Sequence, residues 1–276
     1  MWALNIAIGL ARRPAPREAV ALGLVFGVAQ QVKSNLYVFP ALLVAWSALA
    51  LSGSIRRRLV LVCGLAGSFL LVSLGTPVGN LLSVGGGTWA LPGSAGRTLW
   101  WGNNPLADGY YNYAETEPAG KAFIEAHGLT TRLAQADKLE KDPLFADLGL
   151  AWIRENPGRF LVLCLKKLNN AFGFFPHAVT FEGSRTTEVV HLLSCCLIAP
   201  FALVGMIAAR RRWLICAPLF LVLLSYVFMV CLFFGTPRYT VIVMPVLIVF
   251  ASSALWICAD YFARTYPAFA KLIRRL

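Results

Sequence analysis

Long apolar runs and short polar breaks alternate along the chain, and the alternation predicts its elements. Four runs approach the roughly 20 residues that span a bilayer core of about 30 Å: Leu59–Val84, Glu188–Ala209, Trp213–Phe234 and Val241–Phe262. A fifth apolar region, Ala19–Leu51, is different. As one helix it would be about 50 Å long at 1.5 Å per residue, too long for a single crossing. Gln30, Gln31, Lys33, Ser34 and Asn35 break it in the middle, which predicts two short helices joined by a polar tip. Phe160–Phe175 (FLVLCLKKLNNAFGFF) carries Lys166, Lys167, Asn169 and Asn170 at its centre. A crossing there would bury two charges, so the stretch reads as an interfacial helix on the outer leaflet.

The polar stretch between Ser83 and Pro157 holds shorter elements. Gly120–Gly128 and Thr131–Lys141 read as short helices. Asp142-Pro143 then reads as the start of a longer one, with Asp as N-cap and Pro at the first helical position. Its apolar face is Leu144, Leu148, Ala151 and Trp152, and it stops before Asn156-Pro157-Gly158. Asp137, Glu140, Asp142 and Asp147 read as a solvated face.

Composition agrees with the pattern. A chain that is 58% hydrophobic and 14% charged is too apolar for a soluble domain of this length. The fold class expected is an all-α polytopic membrane protein of about six transmembrane helices, with one mixed-charge extracytoplasmic module and an interfacial helix. Residues 1–83 form N-terminal membrane helices, 84–158 the outer module, 159–187 the interfacial segment, and 188–276 a three-helix membrane region with a basic cytoplasmic tail.

Charge then sets orientation. Nine of the thirteen acidic residues lie between Ser83 and Pro157, beside six Lys/Arg; the rest of the chain has 19 Lys/Arg against four acids. The net charge of +12 is thus a property of the apolar scaffold and points to topology rather than to nucleic acid. Four basic clusters, Arg12/Arg13/Arg17, Arg56–Arg58, Arg210–Arg212 and Arg264/Lys271/Arg274/Arg275, are all satisfied on the cytoplasmic side if the 19–51 hairpin goes out and returns. Lys33, the 84–158 module and Arg238 then face outward. Residues 263–276 read as a basic amphipathic segment suited to anionic lipid. Met1–Leu10 has its positive charges after the apolar run, which reads as the end of a helix rather than a signal peptide.

Candidate chemistry concentrates on the outer side. Trp100-Trp101-Gly102-Asn103-Asn104-Pro105 and Asp108-Gly109-Tyr110-Tyr111-Asn112-Tyr113 mix rings with amides and a carboxylate. That mixture suits carbohydrate, whose apolar faces stack on rings and whose hydroxyls meet polar groups. It equally suits an interfacial aromatic belt with turn-forming Asn-Pro and Asp-Gly. Arg238, after Gly235-Thr236-Pro237 and before Tyr239, is placed to grip a lipid-linked phosphate, or to snorkel beside an interfacial tyrosine. Lys33 is a second phosphate candidate. The glycine-rich 83–97 stretch is not a P-loop, since no Lys-Ser/Thr follows it. The seven cysteines all lie in apolar segments and no Cys/His spacing suggests a metal. His127, His177 and His191 are isolated. No cofactor is indicated, and a divalent metal stays open.

These residues resemble a family. Trp101-Gly102-Asn103-Asn104-Pro105, with Ala107, Gly109 and Tyr110, is similar to a GNNP-x-A-x-G-x-Y stretch of bacterial GT-C membrane glycosyltransferases, the protein-mannosyltransferase-like group that includes the aminoarabinose transferases of lipid A. The run Ala151 to Phe160, with Lys166-Lys167 after it, resembles that group's A-x-x-x-I-x-x-x-P-x-x-F stretch and following lysine. Arg238-Tyr239 before Pro245 resembles its late RY…P helix start. Gly23 to Lys33 resembles GLxxGLAxLxRP, with Lys33-Ser34 in place of Arg-Pro. The resemblance implies an enzyme of the bacterial inner membrane that moves a sugar from a polyisoprenyl-phosphate donor to a glycan, lipid or protein acceptor on the periplasmic face. Arg238, Tyr239 and Lys33 would bind the donor, and Asn103, Asn104, Asp108 and Tyr110 would shape the sugar or acceptor site. The family's catalytic carboxylate lies in a first outer loop with no counterpart here, so the chain resembles the C-terminal part of such an enzyme, with Asp108 or Glu115 as a substitute base if the module folds over the membrane. A non-catalytic membrane subunit is the alternative, and a transporter or flippase a weaker one, since no crossing run carries a mid-membrane charge pair.

Overall fold

The computed structural model describes residues 2–32, 38–51, 53–75, 78, 95–172, 185–240 and 242–266. Lys33, His177, most of the glycine-rich stretch and residues 267–276 of the basic tail lie outside them. The described residues are mostly helical and contain no strand. The elements are α1 (Trp2–Arg12), α2 (Pro16–Val32), α3 (Val38–Ala50), α4 (Ile55–Ser73), α5 (Ala95–Gly102), a 3-10 turn (Ala114–Thr116), α6 (Pro118–Ala126), α7 (Thr130–Gln135), α8 (Lys138–Glu155), α9 (Pro157–Phe172), α10 (Arg185–Ala209), a second 3-10 turn (Arg210–Arg212), α11 (Trp213–Leu232), α12 (Pro237–Thr240) and α13 (Met244–Thr265).

The long apolar region 19–51 does divide in two, as α2 and α3. Small residues make the result compact. Gly23 and Gly27 lie one turn apart on α2 and face Ser68 and Val72 of α4; a Cβ at Gly23 would sit 2.0 Å from Ser68 Oγ. Ser68 Oγ uses the close approach to donate to the Val20 carbonyl at 3.1 Å. A small-xxx-small contact with a hydroxyl bonded across it is the packing that serves helices whose surroundings are apolar. Val20 meets Gly64, Gly23 meets Ser68 and Gly27 meets Val72, so α2 and α4 run parallel and in direct contact.

The basic clusters gather at one end. Arg57 donates from Nη2 to the Pro14 carbonyl at 2.6 Å, joining the α3–α4 turn to the α1–α2 turn. Arg12 and Arg212 both lie close enough to the Cys216 thiol to act on it electrostatically. α13 descends toward the same end, because Phe250 meets both Gly205 of α10 and, at 5.0 Å between ring centres, Phe220 of α11. The mixed-charge module 95–155 caps the opposite end, about 30 Å away along the 20 residues of α11.

Two stretches are long and apolar enough to cross a membrane, Leu197–Leu232 and Met244–Thr265. The six expected crossings are not all matched by such helices: α3 has only 13 residues, α2 has 17, and the 19 of α4 open on Arg56–Arg58. The core is apolar, yet much of the scaffold surface is apolar too. Large apolar side chains stand exposed on the scaffold, Leu71 and Trp256 at 73% each, while Lys167 is 0% exposed.

The module corrects one boundary. α8 starts at Asp137, not at Asp142: the Asp137 carboxylate and Glu140 form a reciprocal capping box. Pro143 therefore lies inside the helix, where it withholds one backbone donor. Asp142 is freed to cap a different helix. Its two oxygens accept the Gly96 and Arg97 N–H groups at 3.0 and 2.9 Å, so it is the N-terminal cap of α5 rather than part of a solvated face. Leu144, Leu148 and Trp152 are buried as the pattern predicts, Leu148 in a cluster with Trp100 and Ile124 and Trp152 in one with Leu163. His127 is not isolated: it stacks on Phe123 at 4.2 Å and meets Glu155 Oε1 at 2.9 Å.

Candidate functional site

Three stretches far apart in sequence meet where the module joins the scaffold. The loop after α5 brings residues 101–113, α9 brings Lys166 and Lys167, and the turn after α11 brings Gly235 to Tyr239. Gly109 is the hinge of the meeting. Its φ of +110° is left-handed, and a Cβ there would lie 2.7 Å from Asn170 Nδ2 and 3.2 Å from Lys166 Cβ, so both conformation and space call for glycine. Its carbonyl accepts the Gly235 N–H at 3.0 Å. Arg159 Nη2 donates to the Pro105 carbonyl at 2.7 Å and draws the same loop onto the start of α9.

Lys167 occupies the centre. Its ammonium donates to Asn103 Oδ1 at 2.8 Å and to the Cys231 carbonyl at 2.9 Å, with the Phe160 ring centre 5.5 Å away. Asn103 sits beside it and donates from Nδ2 to the carbonyls of Leu99 and Leu232 at 2.8 and 2.7 Å. Lysine and asparagine thus close the end of α11 together, using carbonyls that a helix C-terminus leaves without partners. A cation suits that negative dipole end. Among the described residues no carboxylate pairs with it, and burial pushes its pKa down to about 8.

α9 is amphipathic in an unexpected sense. Leu163, Lys167, Asn170 and Ala171 face the protein, while Leu161, Val162 and Leu165 face outward. Polar groups turned inward and leucines turned outward suit a helix lying against lipid, with Lys166 exposed at its edge.

Each predicted residue has a definite place, apart from Lys33 and the side chain of Arg238. Asn103 and Asn104 are fully buried. Asn104 Nδ2 donates to the Trp100 carbonyl at 2.9 Å and to Asn112 Oδ1 at 2.7 Å, and its Oδ1 accepts the Leu106 N–H at 2.9 Å. Both amides are therefore committed to building the loop, and neither reaches its surface. Tyr110 is buried within the loop. Asp108 is exposed, with Oδ1 accepting the Tyr110 N–H at 3.0 Å. Arg238 lies in α12, its side chain outside the described residues; α12 is held by Thr240, whose hydroxyl meets the Ala171 carbonyl and, at 2.8 Å, Tyr226 Oη. Tyr239 is half-buried, its ring 6.0 Å from Phe234. The structure thus brings Asn103, Asn104, Asp108, Tyr110 and Tyr239 to one junction.

Sequence reasoning missed Lys167 as the keystone. The signal for Lys167 is its four-residue spacing from Leu163 and Ala171, the buried faces on either side; a hydropathy rule that sends lysine outward hides it. Among the described residues no group of three His, Cys, Asp or Glu side chains could hold a metal ion. No family model, curated protein or solved structure matches the chain.

Proposed function

We propose that the chain is a membrane glycosyltransferase component that handles a polyisoprenyl-phosphate-linked sugar on the outer, periplasmic face of a bacterial inner membrane. The observation that supports this reading most is the meeting of the three stretches that carry the resemblance. The Asn-Asn-Pro loop, the lysine after the α8–α9 turn and the Arg-Tyr turn are separated by more than 60 residues from one to the next, yet lie on one junction through Asn103–Lys167 and Gly109–Gly235. The gathering of the arginine clusters at the opposite end supports six crossings formed by α2, α3, α4, α10, α11 and α13, with the junction outside. Arg238 is the phosphate ligand in this reading, with Lys33 the second candidate from the sequence. Asp108, the exposed carboxylate of the junction, is the candidate base.

One observation favours the second reading, a non-catalytic membrane subunit: Asn103 and Asn104 spend their amide hydrogens inside the fold. Binding of polyisoprenyl phosphate to the purified chain separates the readings. Arg238→Ala is expected to weaken it at least about tenfold, the loss of one charge-assisted contact, while Arg211→Ala at the other end leaves it unchanged. Equal effects of the two substitutions overturn the proposal.

A further inference from the structure

The outer module carries a histidine set between two acceptors. His127 follows α6 as its C-terminal cap, at the end where helix carbonyls lack partners and a positive charge is favoured. Its Nδ1 lies 2.8 Å from the Phe123 carbonyl oxygen, and its Nε2 lies 2.9 Å from Oε1 of Glu155, the last residue of α8. The ring also stacks on Phe123 at 4.2 Å, and Phe123 lies 5.7 Å from Trp100. The Trp100 carbonyl in turn accepts the Asn103 N–H at 3.1 Å and Asn104 Nδ2 at 2.9 Å. One line of contacts therefore runs from the end of α8 through His127 to the junction loop.

Both oxygens that meet the ring are acceptors, since neither a carbonyl nor a carboxylate carries a hydrogen. A neutral imidazole has one N–H, so in either tautomer one ring lone pair faces one of these oxygens. The imidazolium has two N–H groups and satisfies both. The contacts are thus those of the charged ring. The Phe123 carbonyl, the largest influence, raises the pKa above the ordinary 6.5; partial burial opposes it and Glu155 adds to it. From the elements around His127, Glu155 of α8 is the ionisable side chain that faces it. Lys121 and Glu125 of α6, Arg132 of α7 and Arg154 of α8 are exposed, and Arg159 of α9 is turned to the Pro105 carbonyl.

We propose that His127 is a proton-operated clasp of the module: charged, it ties α6 to the end of α8 and steadies Trp100 and the loop beyond it; neutral, it gives up one of its two contacts and loosens α6. The proposal stands apart from the glycosyl-transfer reading and adds a response to pH near neutrality, where histidine alone among ordinary side chains changes charge. Its sign follows from the direction of the shift. Because the folded chain holds the proton more tightly, the stabilisation is whole below pH 6.5 and is lost as pH rises through the folded value.

The test uses the full chain in phosphatidylcholine nanodiscs. Histidine titration is followed by NMR, with the His127 signal assigned by its loss in His127→Gln. Amide exchange is read by mass spectrometry and corrected for its intrinsic dependence on pH. Wild-type His127 is expected to titrate above 6.5, and protection of the α6 amides to fall several-fold between about pH 5.5 and about pH 8. Glu155→Gln, which keeps the shape of the side chain, should lower the titration point and remove most of that fall. In His127→Gln the protection of α6 should be flat across the range. Glu125→Gln, which removes an exposed carboxylate of α6 itself, should change neither reading. A wild-type titration at or below 6.5 overturns the proposal. So does a fall in protection as large in Glu155→Gln or His127→Gln as in the wild type. A shift in Glu125→Gln equal to that in Glu155→Gln shows a diffuse acidic field in place of a clasp, and also overturns it.

Discussion

Lys167 shows how much can depend on one side chain. Burying an ammonium without a carboxylate is costly, and the fold offsets that cost with Asn103, the carbonyl of Cys231 and the dipole of α11. The consequence is a pH dependence of defined sign. The pKa is lowered from 10.5 to about 8 by burial, so between those values the unfolded chain holds the proton and the folded chain does not. Stability therefore rises with pH through that window, and the full penalty is present below about pH 8. Thermal unfolding in detergent is expected to show a rise of order 3 kcal/mol across the window, absent in Lys167→Met; an unchanged slope in the variant removes the assignment. The roles of Asn103 and Asn104 were the least legible at this scale. Their place among tryptophans and tyrosines was visible, but whether an amide points at a ligand or at its own backbone depends on burial, which sequence does not display.

Elements were more legible than their ends. The division of 19–51 into α2 and α3 follows from five polar residues in an apolar run, and the inward face of α8 from its spacing of leucines and tryptophan. Its start was misread because Asp142-Pro143 imitates a helix beginning. The competing signal, Asp137 three residues before Glu140, is as good locally, and Asp142 is needed 46 residues away on α5. Asp142→Ala should cost about 1 kcal/mol, typical of a lost cap, and should speed hydrogen exchange at the start of α5 while sparing α6. Uniform acceleration over the module is the result that contradicts it. On the scaffold, Gly23→Leu drives a side chain into Ser68 and should separate α2 from α4, read as loss of monodisperse protein on extraction. The same substitution at Gly67, which has nothing within 4 Å of a new Cβ, should be tolerated.

At the scale of the molecule the charge pattern proved the most informative feature of the sequence. Four arginine-rich clusters and one acidic stretch predict two poles; among the described residues Arg12, Arg57 and Arg212 gather at one end and the mixed-charge module lies at the other. The junction between them was not legible as a place, because its parts come from three distant stretches and are joined largely by main-chain contacts, which leave little trace in side-chain pattern. Orientation is testable directly. A cysteine at Thr130, exposed on the module, should react with an impermeant maleimide in intact cells, and one at Arg211 only after permeabilisation. Labelling of both from the same side removes the two-pole topology.

The parallel packing of α2 and α4 carries a consequence in time. Ser68 bonds a carbonyl made 48 residues before it, with α3 inserted in between. At about 5–20 residues per second of synthesis, the glycine groove of α2 waits roughly 2–10 s for the helix that fills it. During that interval its closest available guest is lipid or another nascent chain, so the order of insertion, rather than the final contacts, is where this half of the scaffold is most exposed to error.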